Sequence, residues 1–460
     1  MVDLWRGLFL LFLFAPPCVS GDQLCNADCA VEPSLVEPSL FQRTLNRAIT
    51  TNTTEEGVSE RQSVAQLFHC SHGAAKRTTC MTTHTHTRIV TGVRELWSLL
   101  SPLCDEVGCS QAEWAGCILR MVGHDSMDLV SGQGGGADAC LDLSDPINRG
   151  LERCLVQGVE GVTLMELYEE HCASVSLADF LVIAAETVMT AARELVLLHS
   201  PHRKPLTLSP FRFGRTTLEV CEFSRGRLPD PEGDCSDVER VLIGAMGLNW
   251  ANVVAVLGLH TFGRADVQDS GYDGWWTEPT RSRELNNDYA ISMVTHGWRA
   301  QVGVHDNPGR NQWEIAGEFA PTTKQGHRMM LNTDLCLSYQ EDDDGTTPLH
   351  AATSQCCAWV APTLLGEAVK QSGVYCGTPA AKLDFAAEHR KDCCGYNFTG
   401  ARQDDCGSSF DALGPAYPYV ESQANEEEKF LLQLAHGWEA STTKGITGLK
   451  PLDGCAGATP

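Results

Sequence analysis

Apolar positions along this chain change spacing near residue 97, where weak periodicity gives way to helical patterning. Trp114, Cys117, Ile118 and Met121 recur at three- and four-residue intervals, as on one face of an α-helix. That run leads into Arg120-Met121-Val122-Gly123-His124-Asp125. A second helix is predicted over about 176 to 199, with Phe180, Ile183, Ala184 and Val188 on its apolar side. Ser236-Asp237-Val238-Glu239 reads as a capping box opening a helix through Ile243 and Met246. Asn249 can cap another, the apolar run Val253 to Leu259, which delivers His260. Near the end, Asn425-Glu426-Glu427-Glu428 opens a helix whose Phe430, Leu434 and Trp438 share a face, its acidic residues placed well for the helix dipole.

Other stretches lack such order. Residues 22–96 are rich in Thr, Ser and Glu and read as an N-terminal extension. Within it, Thr82-Thr83-His84-Thr85-His86-Thr87 reads as an exposed polar tract. Residues 341–415 are acidic and Gly-rich and hold six cysteines, from Cys356 to Cys406, so they read as a disulfide-tied insertion. The leading segment, 1–21, has Arg6 followed by the apolar run Gly7 to Ala15 and then Pro16, Pro17, Ser20 and Gly21. It reads as a signal peptide, too short for a comfortable membrane span.

Composition supports that route. Of 21 cysteines, loss of Cys18 with the signal leaves an even number, and no C-x-x-C doublet suggests a zinc module. Asn52-Thr53-Thr54 and Asn397-Phe398-Thr399 are glycosylation acceptor motifs. The expectation is a secreted or secretory-lumen glycoprotein, with no membrane contact after signal cleavage. A formal charge of −25 argues against nucleic acid and anionic membrane as partners, and it suits a basic protein or a cationic substrate.

Three blocks, Arg120 to Asp125, Gly134-Gly135-Gly136-Ala137-Asp138 and Val175 to Asp179, resemble the distal half of the plant-type haem peroxidases. Gly226 to Pro231, His260 to Ala265, Ser270 to Thr277 and Met330 to Asp334 are similar to its proximal half, in the same order. The last helix resembles that of cytochrome c peroxidase. The resemblance implies a mainly α fold with two helical halves sandwiching haem b. The peroxidase domain then spans 97–340, with its final helix and tail in 416–460. It also implies reduction of hydrogen peroxide to water, removing peroxide under oxidative stress, while a donor is oxidised in one-electron steps. That donor is a phenolic small molecule or a basic redox protein.

The residue types suit that chemistry. Splitting peroxide needs a base for the proton of the incoming oxygen and an acid for the departing one, and a neutral His performs both in turn. His124 takes this role. Arg120, one turn earlier, can stabilise charge on the leaving oxygen. By resemblance, Asn148 orients His124, although the segment around it also suits a helix cap. Again by resemblance, His260 is the axial iron ligand, Asp334 accepts from its second nitrogen, and Trp276 contacts both and can hold a radical. Simple core packing of Trp276 is an equal alternative.

The family's distal calcium would fall on Asp125, the Gly136 carbonyl, Asp138 and Cys140, where a hydroxyl is usual in place of the Cys. Its proximal cation would fall on Thr261 and Thr277, with Asn286 near where an acid is expected. Gly123 departs from the pattern, standing where the family has Trp or Phe, and this widens the space beside His124. Asp269 replaces the Arg of ascorbate peroxidases. Ala112 and Gly116 replace two of the three acids of manganese peroxidases, while Asp266 matches the third. Two rival readings remain open from sequence: a haem carrier or sensor without useful activity, and a Cys-rich interaction protein that binds no haem.

Overall fold

The computed structural model describes residues 63–68, 70–130, 132–221, 226–296, 298–304, 307–315, 327–339, 356–360, 372–376 and 414–455. The signal segment, both glycosylation motifs and most of the Cys-rich insertion lie outside them. Helices of eight or more residues are numbered in order: α1 Thr83–Leu99, α2 Ser110–Met127, α3 Leu177–His199, α4 Trp250–Leu257, α5 Asp288–Thr295, α6 Tyr417–Asn425 and α7 Glu427–Thr443.

The first helix corrects the sequence expectation for 22–96. Thr82 is its N-cap, its hydroxyl accepting from the Thr85 N–H at 3.1 Å, so the polar Thr/His tract is a helix's first turns. Ile89, Gly92, Val93, Leu96 and Trp97 form its buried stripe, facing α3. A Cβ on Gly92 would lie 2.4 Å from Leu167, so close packing requires glycine there. Disulfides Cys70–Cys172 and Cys80–Cys455 fasten this region to the rest.

Ser176 caps α3, accepting from the Asp179 N–H at 3.3 Å. Asp179 and Arg215, both fully buried, pair at 2.8 Å, and Asp179 also accepts from the Gly214 N–H. Each charge is therefore compensated where water cannot reach it. Arg193 of α3 grips Glu427 of α7 with two bonds of 2.8 Å, joining the central helix to the final one. In turn, α7 packs across α4, where a Cβ on Gly437 would lie 2.8 Å from Val256.

The segment before α4 differs from its predicted capping. Asp234 is the N-cap, accepting from the Ser236 N–H at 2.7 Å, and the short helix Cys235–Val238 continues as a π-helix, Glu239–Ala245. Asn249 caps α4 as expected, accepting from the Asn252 N–H. The helix then tightens into a 3₁₀ turn, Gly258–Thr261, which carries His260.

A five-stranded antiparallel sheet is the main feature absent from the sequence expectation. Its strands are β1 Trp298–Val304, β2 Asn307–Ile315, β3 Met329–Met330, β4 Cys356–Val360 and β5 Ser372–Cys376, in the order β3-β2-β1-β4-β5. Trp298 opposes Ile315, and Trp313 opposes Met330; all four are buried. The strands β4 and β5 show that residues 341–415 contribute to this sheet. The short β3 runs directly into the turn bearing Asp334. Among the described residues no single helix is long and apolar enough to cross a membrane.

Candidate active site

A cavity of about 680 Å³ lies between α2 on one side and the end of α4 on the other, with His124 and His260 both on its walls. Its surface is mostly apolar, with Leu119, Leu228, Val256, Leu257, Phe262 and Leu331 among the lining side chains.

On the α2 side, His124 Nδ1 and Asn148 Oδ1 are 2.9 Å apart. Asn148 is buried, and its Nδ2 donates to the Asp142 carbonyl at 3.0 Å, which leaves Oδ1 as an acceptor. The proton of His124 therefore belongs on Nδ1, and Nε2 is left as a bare base. Burial, with the Arg120 charge beside it, holds His124 down at about 3, against the weaker upward pull of Asn148. Arg120 is fixed by the backbone: Nη1 donates to the Arg149 carbonyl at 2.9 Å and Nη2 to the Ile147 carbonyl at 2.6 Å. Burial lowers it to about 10, which keeps it cationic at neutral pH.

On the α4 side, Asp334 is completely buried and is the hub. His260 Nδ1 lies 2.9 Å from Oδ1, Trp276 Nε1 donates to Oδ2 at 2.8 Å, and the Leu331 N–H donates to Oδ2 at 2.8 Å. Tyr289 donates its hydroxyl to Oδ1 at 2.7 Å. Burial pushes the Asp334 carboxyl up, but His260, the Leu331 N–H and the Tyr289 hydroxyl outweigh it and hold it below the usual range. The Trp276 ring stacks on His260 with centroids 4.6 Å apart. Tyr289 was missed from sequence, because nothing in its local pattern on α5 singles it out. Only the fold brings it to a carboxylate 45 residues later.

The remaining candidates divide. Asp125, Asp128 and Asp138 lie together. Burial, then mutual repulsion, raises Asp125 and lifts Asp138 to about 7, while burial lifts Asp128 to about 6. Asp125 accepts from the N–H groups of Ala139 and Cys140, and the Gly136 carbonyl accepts from the Asp138 N–H. Gly135, at φ +86°, passes so close to Asp128 that a Cβ would lie 2.4 Å from its carboxylate. Cys140 corrects the expected calcium set: its sulfur is bonded to Cys221 and offers no hard oxygen-like donor. Thr261 and Thr277 are buried neighbours, the Thr277 hydroxyl donating to the Thr261 carbonyl. Among the described residues no group of three or more His, Cys, Asp or Glu is arranged to hold a metal ion. Asp269, in the segment between His260 and Trp276, pairs with Arg153 at 2.5 Å.

Two histidines facing one apolar cavity, each with Nδ1 engaged, define a class of site, and comparison with known proteins assigns the class. The peroxidase family model matches residues 104–347, just over half of the chain, and the chain belongs to that family. It is 32% identical over 130 residues to the mitochondrial cytochrome c peroxidase of Pyricularia oryzae, covering 28% of this chain and 32% of that one. Similarity to the Candida glabrata cytochrome c peroxidase is 30% over 129 residues, again covering 28% and 32%. Against the cytosolic L-ascorbate peroxidase 1 of Oryza sativa subsp. indica it is 25% over 183 residues, covering 39% and 64%. The chain thus spans about a third of the length of these cytochrome c peroxidases. The mainly α peroxidase fold expected from sequence is borne out, and the family implies haem.

The residues fit that group. The cavity is large and apolar, as a buried planar cofactor requires. His260 lines it with Nδ1 committed to Asp334, so Nε2 is the nitrogen left for iron.

Proposed function

We propose that this chain is a haem b peroxidase that reduces hydrogen peroxide to water at the expense of a one-electron donor. The observation that carries the reading is one cavity between two histidines, one held as a neutral base and the other held against a buried carboxylate. Haem, when bound, would supply the iron redox chemistry that peroxide reduction requires. His260 Nε2 would hold that iron, its ring oriented by the Nδ1 bond to Asp334. The bare Nε2 of His124 takes the proton of the entering peroxide and returns it to the departing oxygen. Arg120, pinned by two carbonyls, keeps a positive charge directed at that oxygen as its bond breaks. Trp276, stacked on His260 and bonded to Asp334, is a candidate to pass electrons inward from the donor, whether a phenol or a basic protein.

The test is the absorption spectrum of the haem-loaded protein before and after one equivalent of hydrogen peroxide. The expected result is a rapid change that reverses on adding a phenolic donor, slowed about 10²–10⁴-fold in His124→Ala. Bound haem that ignores peroxide would favour the carrier or sensor reading. A folded protein that takes up no haem would leave the interaction scaffold.

Two finer points belong to the same reading. Six disulfides among the described residues and the leading apolar run support a secreted or secretory-lumen location, and with it glycosylation and peroxide removal outside the cytosol. A cation would offset the burial and mutual repulsion that raise Asp125 and Asp138, which supports a calcium ion held by them and the Gly136 carbonyl, without Cys140. Chelation by EGTA should then lower the melting temperature by several degrees, with recovery on adding calcium; no shift removes the ion. No ion is assigned to Thr261 and Thr277, whose polar groups bond one another.

A further inference from the structure

Three links join α2 to a later segment, residues 145–157, and all three start from one face of the helix. Cys117 is bonded to Cys154, Arg120 donates to the Arg149 and Ile147 carbonyls, and His124 Nδ1 meets Asn148 Oδ1. Positions 117, 120 and 124 are spaced by three and four residues, so they stack as successive rungs. Two rungs are the contacts that hold the acid–base pair. The third is a covalent bond that can be reduced.

Of the six disulfides among the described residues, this is the one with a cysteine on the cavity wall. Cys117 is partly exposed, whereas Cys154 is fully buried. Glu113, one turn before Cys117, and Arg153, beside Cys154, keep 22% and 42% of their side chains exposed, so this end of the wall meets water. The surroundings also favour exchange. The Cys154 N–H donates to Cys117 Sγ at 3.2 Å and the Arg120 charge lies one turn on; both favour a thiolate on Cys117. The Leu151 carbonyl, 3.6 Å from Cys154 Sγ, is an acceptor for a thiol there.

We propose that Cys117–Cys154 is a thiol-exchange site through which a low-molecular-weight thiol turns the peroxide site off. The inference rests on the peroxidase reading above and assigns that site a regulator. A thiolate RS⁻ attacks Cys117 Sγ, the S–S bond breaks, and its electron pair leaves on Cys154, which takes a proton. A second RS⁻ attacks the sulfur now attached to Cys117 and expels Cys117 as its thiolate. In balance, two RSH are oxidised to RSSR and the protein disulfide is reduced to two thiols. With the end rung open, residues 145–157 move off α2. Asn148 then loses its hold on His124, and the two carbonyls lose theirs on Arg120.

The experiment treats the haem-loaded protein with reduced glutathione, removes the thiol by anaerobic gel filtration, and divides the sample three ways. One part is alkylated with iodoacetamide and mapped by mass spectrometry. Another is read by amide hydrogen exchange, and the last is mixed with hydrogen peroxide in stopped flow. Cys117 and Cys154 should become alkylated, and in step the peroxide rate should fall about tenfold or more at unchanged haem content. Amide exchange should quicken about tenfold or more in residues 145–157 while α3 and α7 keep theirs, a local signature that general destabilisation would not give. Oxidised glutathione should restore both. The double variant Cys117→Ala, Cys154→Ala should be slow with peroxide from the outset and should not respond to thiol. A pair that stays oxidised while the exposed Cys80–Cys455 opens would overturn the proposal. So would a reduced pair with rate and exchange unchanged, leaving the peroxidase reading intact. Protein that ignores peroxide with the pair still oxidised would overturn the peroxidase reading, and the regulation with it, whatever alkylation shows. If the double variant does not fold, the wild-type correlation of alkylation with rate decides alone.

Discussion

His124 and Arg120 are one helical turn apart, yet their surroundings move both away from their ordinary values in ways that serve one reaction. Burial and the Arg120 charge hold His124 at about 3, so it is a neutral base at any physiological pH. Burial brings Arg120 down only to about 10, so it stays charged. The active pair is neutral His with cationic Arg, which exists between those two values. The rate of reaction with hydrogen peroxide should therefore be flat from about pH 4 to 9, falling below as His124 protonates and above as Arg120 loses its proton. A break near 6.5 would mean that His124 is solvated like a free imidazole. Stability carries the same sign. With its folded value depressed, His124 stabilises the fold fully above 6.5 and progressively less as pH falls toward about 3. At this scale the ordered motifs made His124, Arg120, His260, Asp334, Trp276 and Asn148 legible, and the fold brings each three to a cluster. Tyr289 was hidden because its role depends on a contact across 45 residues. Cys140 was misassigned because its partner, Cys221, lies 81 residues away and no spacing rule couples them.

Among the elements, long helices with a clear apolar stripe were readable, and the sheet was passed over. Yet β1, Trp298-Arg299-Ala300-Gln301-Val302-Gly303-Val304, alternates in the period-two pattern of a strand. The turn-type residues Asn307, Pro308 and Gly309 follow closely, although they open β2, so a break next to this strand was marked in the local sequence. The helix α1 was obscured for another reason. Thr and His are poor helix formers, and its first turns are held by a Thr82 cap and by bonds from Thr83 to Asp453, 370 residues away. One link from the sheet to the site runs through Trp313 of β2, whose Nε1 donates to Asn332 Oδ1 at 2.6 Å, while Asn332 donates Nδ2 to the Glu232 carbonyl. Those bonds fix the turn that presents Asp334. Trp313→Phe keeps the ring in the core but removes the donor, leaving a buried amide oxygen short of a partner. It should cost about 1–3 kcal/mol in urea unfolding. It should also shift the haem absorption band by loosening Asp334 under His260. A stability loss with an unchanged haem spectrum would show that the sheet supports the fold without tuning the site.

For the whole molecule, the surplus of acid is the property that no single contact explains. Several carboxylates on the cavity wall are matched locally: Asp269 with Arg153 at 2.5 Å, Asp237 with Arg240 at 2.8 Å, and Asp266 with Arg264 at 3.6 Å. These pairs cancel much of the field of those three carboxylates at short range. The chain's net charge of −25 acts instead at long range, over distances at which salt decides the outcome. The screening length falls from about 30 Å at 0.01 M salt to about 8 Å at 0.15 M. A long-range field of this kind is therefore mostly removed across that range, whereas a contact pair would survive it. Oxidation of a small basic redox protein should slow at least tenfold between those two salt concentrations, while oxidation of a neutral phenol stays constant. Steady-state kinetics with both donors on the same preparation separates the cases. A basic donor whose rate ignores salt would mean that it is captured by contacts at the surface, and that the acidic surplus serves solubility alone. Parallel slowing of both donors would place the salt effect in the protein, since a neutral phenol feels no steering.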